Sequence, residues 1–316
     1  MRVLFWGTPE FAAAPLRALI GEGSEVIGVV TQPDRPQGRS RVLTAPPVKQ
    51  IAIEERIPVF QPARPKDPDF VEMLVAMQPD ISIVVAYGHI LPRQVIDLPR
   101  LGTLNIHASL LPALRGAAPI QAAIRLGLRE TGVTIMRMVA ALDAGPILLK
   151  AKVPILDDET YGELQMRLSE LGALTLLEAL ALMSIGEAVE TVQDDGLATY
   201  ASKVSRDDAR MDWSLGAVEV ARMVRAYDPK PGAFTTRAGT DVKMFGPRVI
   251  PAAGSGDGQP AKSAGEVVAT EGGVVVACGD GAAVGIADVQ PAGKARMTSA
   301  EWARGRGVAA GDRLGE

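Results

Sequence analysis

Short apolar runs alternate with helix-like segments along the first half of this sequence, and that alternation constrains the fold more than any other feature. "RVLFWG" and "EVIGVVTQ" flank "PEFAAAPLRALIGEG", a helical stretch that ends in Gly. Strand, helix and strand in about thirty residues make a βαβ unit, whose two strands run parallel because the crossover returns the chain to its starting edge. The pattern continues through helical "PPVKQIAIEE", the short strand "IPVF", helical "PDFVEMLVAMQ" and the apolar "DISIVVAYG" to "GTLNIH". Helical "APIQAAIRLG", the strands "GVTIMRMV" and "GPILLKAKVPI", and a long amphipathic helix "TYGELQMRLSELGALTLLEALALMSIGEA" follow. The prediction is an open, doubly wound α/β domain over residues 1–187, with ligands beyond the carboxyl ends of its strands.

From about position 188 the periodicity stops. "VETVQDDGLATYASKVSRDDARMDW" is polar and unperiodic, which predicts a linker over 188–205. One helix, "LGAVEVARMVRAY", precedes Gly-punctuated runs: "GAFTTRAG", "TDVKMFGPRVI", "GEVVATEGG", "VVVACGDG" and "AAVGIADVQ". Short strands at this spacing predict a small β-barrel over 206–316, with "PAAGSGDGQPAKSAG" as a loop inside it.

Composition removes several functional classes. Hydrophobic residues form 47% and charged residues 22% of the chain, ordinary for a protein with a full-sized core. No window reaches the roughly 18 uninterrupted apolar residues of a membrane span, and "MRVLFWGTPEF" reads as a strand and turn rather than a secretion signal. The single cysteine, Cys278, leaves no internal disulfide, and two histidines make a structural zinc site improbable. The expectation is a cytoplasmic, metal-free monomer. A net charge of −4 gives no global attraction for polyanions, yet residues 32–66 carry seven basic side chains against three acidic ones. Arg35, Arg39, Arg41 and Lys49 belong to that local basic patch.

The chemistry-bearing stretch is "LGTLNIHASLLPALRGAAPIQ". Asn105 and His107 lie two apart at a strand end and so share a face. Taken alone, His107 reads first as a hydrogen-bonded core histidine, and His89 as a surface residue. "GTPEF" lacks the spacing of a phosphate loop and reads as a plain turn. Asp143, in the Gly-containing turn of "GVTIMRMVAALDAGPILL", reads as a turn cap or as a partner for His107. A parallel sheet gathers its strand-end loops on one edge, which would bring the three together. Amide, imidazole and carboxylate without a Ser or Cys nucleophile suit a transfer in which the acceptor brings its own nucleophile, and the protein polarises a carbonyl and moves protons.

"NIHASLLPALRGAAPIQ", "TGVTIMRM" and "LDAG" resemble the folate-dependent formyltransferases. "TQPDRPQGR", "PPVK", "VVAYGHILP" and "DWS" point within that family to enzymes acting on methionyl initiator tRNA. The resemblance spans nearly the whole chain. It implies a Rossmann-like catalytic domain, an OB-type barrel that binds tRNA, and 10-formyltetrahydrofolate as formyl donor. It assigns catalysis to Asn105, His107 and Asp143, and folate contact to Ser109, Leu110, Leu111 and Pro112 with Tyr87, Gly88 and Ile90. Contact with tRNA falls to Arg35, Arg39, Arg41 and Lys49, and in the barrel to Lys203, Lys243 and Arg248, with Lys230 a further candidate. The chain departs from the family's usual residues at Ala113-Leu114 (for Arg-Trp), at Ala141, Ala144 and Pro146, and at Ser40. None of these removes a catalytic side chain. Two other readings share parts of the pattern: a formyltransferase for an amino-sugar nucleotide or other small amine, and a non-catalytic RNA-binding protein.

Overall fold

The computed structural model describes residues 1–37, 42–252 and 262–316. Arg39 and Arg41 lie outside the described residues, as does most of the loop expected in the C-terminal part. The chain forms two compact units.

The first unit contains residues 1–119, 130–154 and 165–202. The seven strands of its main sheet are β1 (Arg2–Gly7), β2 (Glu25–Val30), β3 (Val59–Phe60), β4 (Ile81–Val85), β5 (Thr103–His107), β6 (Glu130–Arg137) and β7 (Ile147–Pro154). They are ordered β7-β6-β5-β4-β1-β2-β3. The five strands from β5 to β3 are parallel, whereas β6 runs antiparallel to β5 and β7 antiparallel to β6. The sheet is therefore mixed, and its direction reverses next to the strand that carries Asn105 and His107.

Helices cover both faces, as the burial of β1 beyond Arg2 and of every residue of β4 requires. On one face, helix α1 (Pro68–Met77) brings Phe70 edge-on to Trp6, with ring centroids 6.0 Å apart. On the other, helix α2 (Tyr161–Ser184) sets Gly172 against Ile106 and Val133. The missing side chain lets the helix approach: a Cβ at Gly172 would stand 3.0 Å from Ile106 Cγ2. No helix among the described residues is long and apolar enough to cross a membrane.

The second unit contains residues 120–129, 155–164 and 203–316. Its sheet holds β8 (Phe234–Arg237), β9 (Thr240–Ile250), β10 (Val267–Ala269), β11 (Val274–Ala277), β12 (Ala283–Pro291) and β13 (Met297–Thr298). The order is β8-β9-β12-β11-β10, with β13 on β12, and every pairing is antiparallel. Helix α3 (Ala217–Ala226) contributes Val220, Met223 and Val224 to a core with Trp213, Met244, Val276, Ile286 and Trp302. Trp213 keeps its indole N–H satisfied by donating to Thr235 Oγ1 at 3.0 Å.

Candidate active site

Asn105 is the polar exception in an apolar row. Val30, Trp6, Val84, Asn105, Met136 and Ile147 stand in register across six adjacent strands and so share one face of the sheet. Its amide has no hydrogen-bond partner among the described residues. It is a half-buried amide between Val84 and Met136, with its hydrogen-bonding capacity left over.

His107 is 6% exposed, and each ring nitrogen faces a different loop. Nε2 donates to the carbonyl of Leu114 at 2.9 Å, since a carbonyl can only accept. Nδ1 faces Asp143 Oδ2 at 3.7 Å, ion-pair range but longer than a hydrogen bond. Asp143 Oδ2 also accepts the backbone N–H of Gly116 at 2.7 Å. The three residues singled out in the sequence thus meet around one strand end.

They do not meet for the reason the sequence offered. Because β6 is antiparallel, it ends beside Leu104 and Thr103, at the far end of β5 from His107. The 138–146 loop leaves from that end and folds back, and only then does Asp143 reach the imidazole. Asp143 takes a left-handed backbone there, with φ +49°.

The loop after β5 is fixed from several sides. Ser109 is buried, and its hydroxyl donates to Ala113 O at 2.5 Å, so it is committed to the loop. Thr134 Oγ1 donates to Ser109 O at 2.7 Å and accepts from Leu111 N at 3.1 Å. Lys150 Nζ donates to Leu111 O. Leu111 is fully buried in a cluster with Met136 and Ile147. Leu110 and Pro112 are partly exposed beside it.

Within the expected linker over 188–205, residues 190–201 also wrap this loop. Thr199 Oγ1 accepts from Leu114 N at 2.9 Å, and Tyr200–Ala201 pair in parallel with Arg115–Gly116. Gln193 and Asp195 hold the buried Arg115 guanidinium. Arg115, Gln193 and Thr199 carry no sequence signal, because their partners lie as far as 85 residues away in the chain.

Tyr87, Gly88 and Ile90 follow β4, the neighbour of β5. Ile90 is 88% exposed, and the 138–146 loop exposes two further aliphatic side chains, Val139 and Leu142. Tyr87 is different: its ring is buried against Trp6, at 5.2 Å between centroids. Its hydroxyl has no partner among the described residues, and burial pushes its pKa up to about 12. Removing an unsatisfied buried hydroxyl relieves a desolvation cost, so Tyr87→Phe should raise stability by about 1 kcal/mol. Thermal unfolding measures this. A loss of stability would mean that the hydroxyl has a partner in solution.

Of the basic residues, Arg35 opens a short hairpin in which Arg35–Gln37 pairs with Val42–Thr44. Arg35 Nη2 donates to Gln32 Oε1 at 3.3 Å. Lys49 is already engaged: Nζ donates to both Asp34 carboxylate oxygens at 2.8 Å and to Gln61 Oε1 at 2.9 Å. The Lys49 bonds, with Gln61 Nε2 donating to Asp34 Oδ1 at 2.8 Å, hold the Asp34 carboxyl below its usual range. In the second unit, Lys243 Nζ donates to Pro231 O at 2.6 Å, while Lys203 and Arg248 are exposed.

Residues 1–180 match the family model described as formyl transferase, and residues 203–307 match that of the formyl transferase C-terminal domain. The chain is 48% identical over 315 residues to a methionyl-tRNA formyltransferase of Methylococcus capsulatus, covering 100% of both chains. Among solved structures, it resembles the N-formyltransferase of Helicobacter canadensis in complex with folinic acid and dTDP-3-aminofucose. That match has TM-score 0.66 and 14% identity, over 92% of this chain and 98% of the other. Aquifex aeolicus HypX in complex with tetrahydrofolic acid aligns with TM-score 0.63 and 23% identity, over 95% of this chain and 46% of that longer one. These two likenesses carry the fold.

Proposed function

The chain belongs to the formyltransferase family, and on that premise we propose that Asn105, His107 and Asp143 drive formyl transfer to an amine that a tRNA presents. The protein transfers a formyl group to the amino group of methionyl-tRNA, a step of translation initiation. The convergence of amide, imidazole and carboxylate on one strand end carries the reading of the site. Ser109, the hydroxyl closest in sequence, is committed to Ala113 O, which fits an acceptor that brings its own nucleophile.

The proposed donor is 10-formyltetrahydrofolate. The site suits a flat ring system with an apolar face: Ile90, Val139 and Leu142 expose aliphatic surface on the flanking loops, and Ser109–Pro112 forms a fixed wall. Tyr87 and Gly88 would shape the base of that wall through their backbone. Bound there, the folate supplies an activated formyl carbon. The Asn105 amide donates to the formyl oxygen as negative charge develops on it, and gains there the partner it lacks among the described residues. His107 Nε2 stays on Leu114 O, which leaves Nδ1 to hold and move the proton. The Asp143 carboxylate faces that nitrogen and holds the ring's orientation.

The second unit is proposed as an OB-type, tRNA-binding barrel over 206–316, joined to a Rossmann-like catalytic part over 1–187. Lys203, Lys243 and Arg248 would meet the tRNA backbone there, and Arg35, Arg39, Arg41 and Lys49 would do so from the first unit. Lys49 would have to exchange Asp34 for phosphate. We place the protein in the cytoplasm as a monomer.

The deciding experiment offers labelled donor to charged initiator tRNA, charged elongator tRNA and an amino-sugar nucleotide in parallel. Label should enter the initiator methionyl group. Label in the sugar nucleotide and none in tRNA would mean that the acceptor is a small amine.

A further inference from the structure

Gln193 lies outside both loops that form the site, yet its side chain joins them. Its amide has two hydrogens and two acceptor lone pairs, and all are used. Nε2 donates to Asp143 O at 2.8 Å and to Gly145 O at 2.7 Å. Oε1 accepts from Arg115 Nε at 3.2 Å and from Arg115 Nη2 at 2.8 Å. One side is therefore fixed to the loop that carries the site's carboxylate. The other is fixed to Arg115, which stands between Leu114, the hydrogen-bond partner of His107, and Gly116, the partner of Asp143.

We propose that Gln193 is the positioning residue of this site, setting the Asp143 carboxylate against His107 by tying the 138–146 loop to Arg115. The proposal rests on the catalytic reading of Asp143 and His107 given above. Asp143 needs such a tie for two reasons. Its backbone is left-handed, a conformation a non-glycine residue keeps only when its surroundings impose it. Its loop also starts at the far end of β5 and has no strand partner at residue 143 itself. Gln193 is held in turn, since Thr191 exchanges backbone hydrogen bonds with Ile147 at 2.8 Å in both directions. It is 8% exposed, so water does not compete for its four bonds.

The amide is required on chemical grounds. A Glu at this position has the same shape and keeps the Arg115 contact, but it turns an oxygen toward the carbonyls of Asp143 and Gly145 where a donor stood. Gln193→Glu in the full-length protein should lower kcat by on the order of ten- to hundredfold, the cost of a misplaced catalytic group. Gln193→Asn keeps the amide but withdraws it by one methylene. It should lower kcat in the same direction by less, and it carries the test if the Glu variant does not fold.

The reading that separates positioning from plain stability is the double variant. With Asp143→Ala already present, Gln193→Glu should cost no further turnover, because what it positions is gone. If the two losses multiplied, or if kcat were unchanged in both Gln193 variants, Gln193 would not position Asp143. If Asp143→Ala alone kept near wild-type turnover, the catalytic reading itself would fall.

Discussion

His107→Ala is expected to lower turnover by roughly a hundredfold or more, with the protein still folded. The ring sits at the last residue of β5. Its bonds run to the loop carbonyl of Leu114 and toward the carboxylate of Asp143, both part of the site. Asn105→Ala and Asp143→Ala should each give a loss of similar size. For Asn105 the stability cost should be smallest, because its amide has no partner to lose among the described residues. In the proposed mechanism the three act on one developing charge and one proton, so a double variant should lose less than the product of its singles. Steady-state turnover with charged tRNA, together with thermal unfolding of each variant, checks this. Near wild-type turnover in His107→Ala would falsify the assignment of proton handling to Nδ1.

The architecture was legible where short-range patterns determine it. The β1 to β5 runs alternate with helical segments, and a parallel sheet follows from crossover length alone. The five apolar runs after position 230 likewise became β8 to β12. "GVTIMRMV" and "GPILLKAKVPI" are joined by a short Gly-containing turn, too short for a crossover helix, and so read as paired strands, which β6 and β7 are. The reversal of β6 against β5 left no such trace, because a hairpin can begin on a strand of either direction. That reversal changes how Asp143 arrives at the site without changing where it arrives.

The segment 190–201 shows the opposite case. It has no hydrophobic period and reads as a connector, yet Gln193 and Thr199 complete the site through bonds to residues 48 to 85 positions away. Single polar side chains that bridge distant loops follow no periodicity, so only the assembled fold displays them. The basic patch is a mixed case. Composition found it, but it did not foresee that Lys49 is held by Asp34 and Gln61.

Gly116 couples backbone geometry to the proposed catalytic carboxylate of Asp143, and Gly116→Ala should damage both stability and turnover. The residue has φ +115°, a region that only glycine occupies without strain. A Cβ there would stand 2.6 Å from the carbonyl oxygen of Ala201, a backbone atom with no room to yield. That same oxygen accepts from Ala117 N at 3.0 Å, so the close approach is part of the pairing that fixes the loop. An alanine must therefore push Tyr200–Ala201 away or rotate its own peptide. Either movement takes the Gly116 N–H from Asp143 Oδ2, which it now meets at 2.7 Å. Strain and clash together should cost about 3 kcal/mol, a fall in Tm of roughly 6–12 °C at 2–4 °C per kcal/mol. Turnover should fall by on the order of tenfold or more, because the carboxylate loses the donor that orients it. Gly186→Ala supplies the comparison: its φ is +77°, but nothing lies within 4 Å of its added Cβ. It should lose about 1 kcal/mol to backbone strain and keep full turnover. Equal behaviour of the two variants in both measurements would show that the approach to Ala201 does not hold Asp143. A turnover loss confined to Gly116→Ala would tie the carboxylate's placement to this one missing side chain.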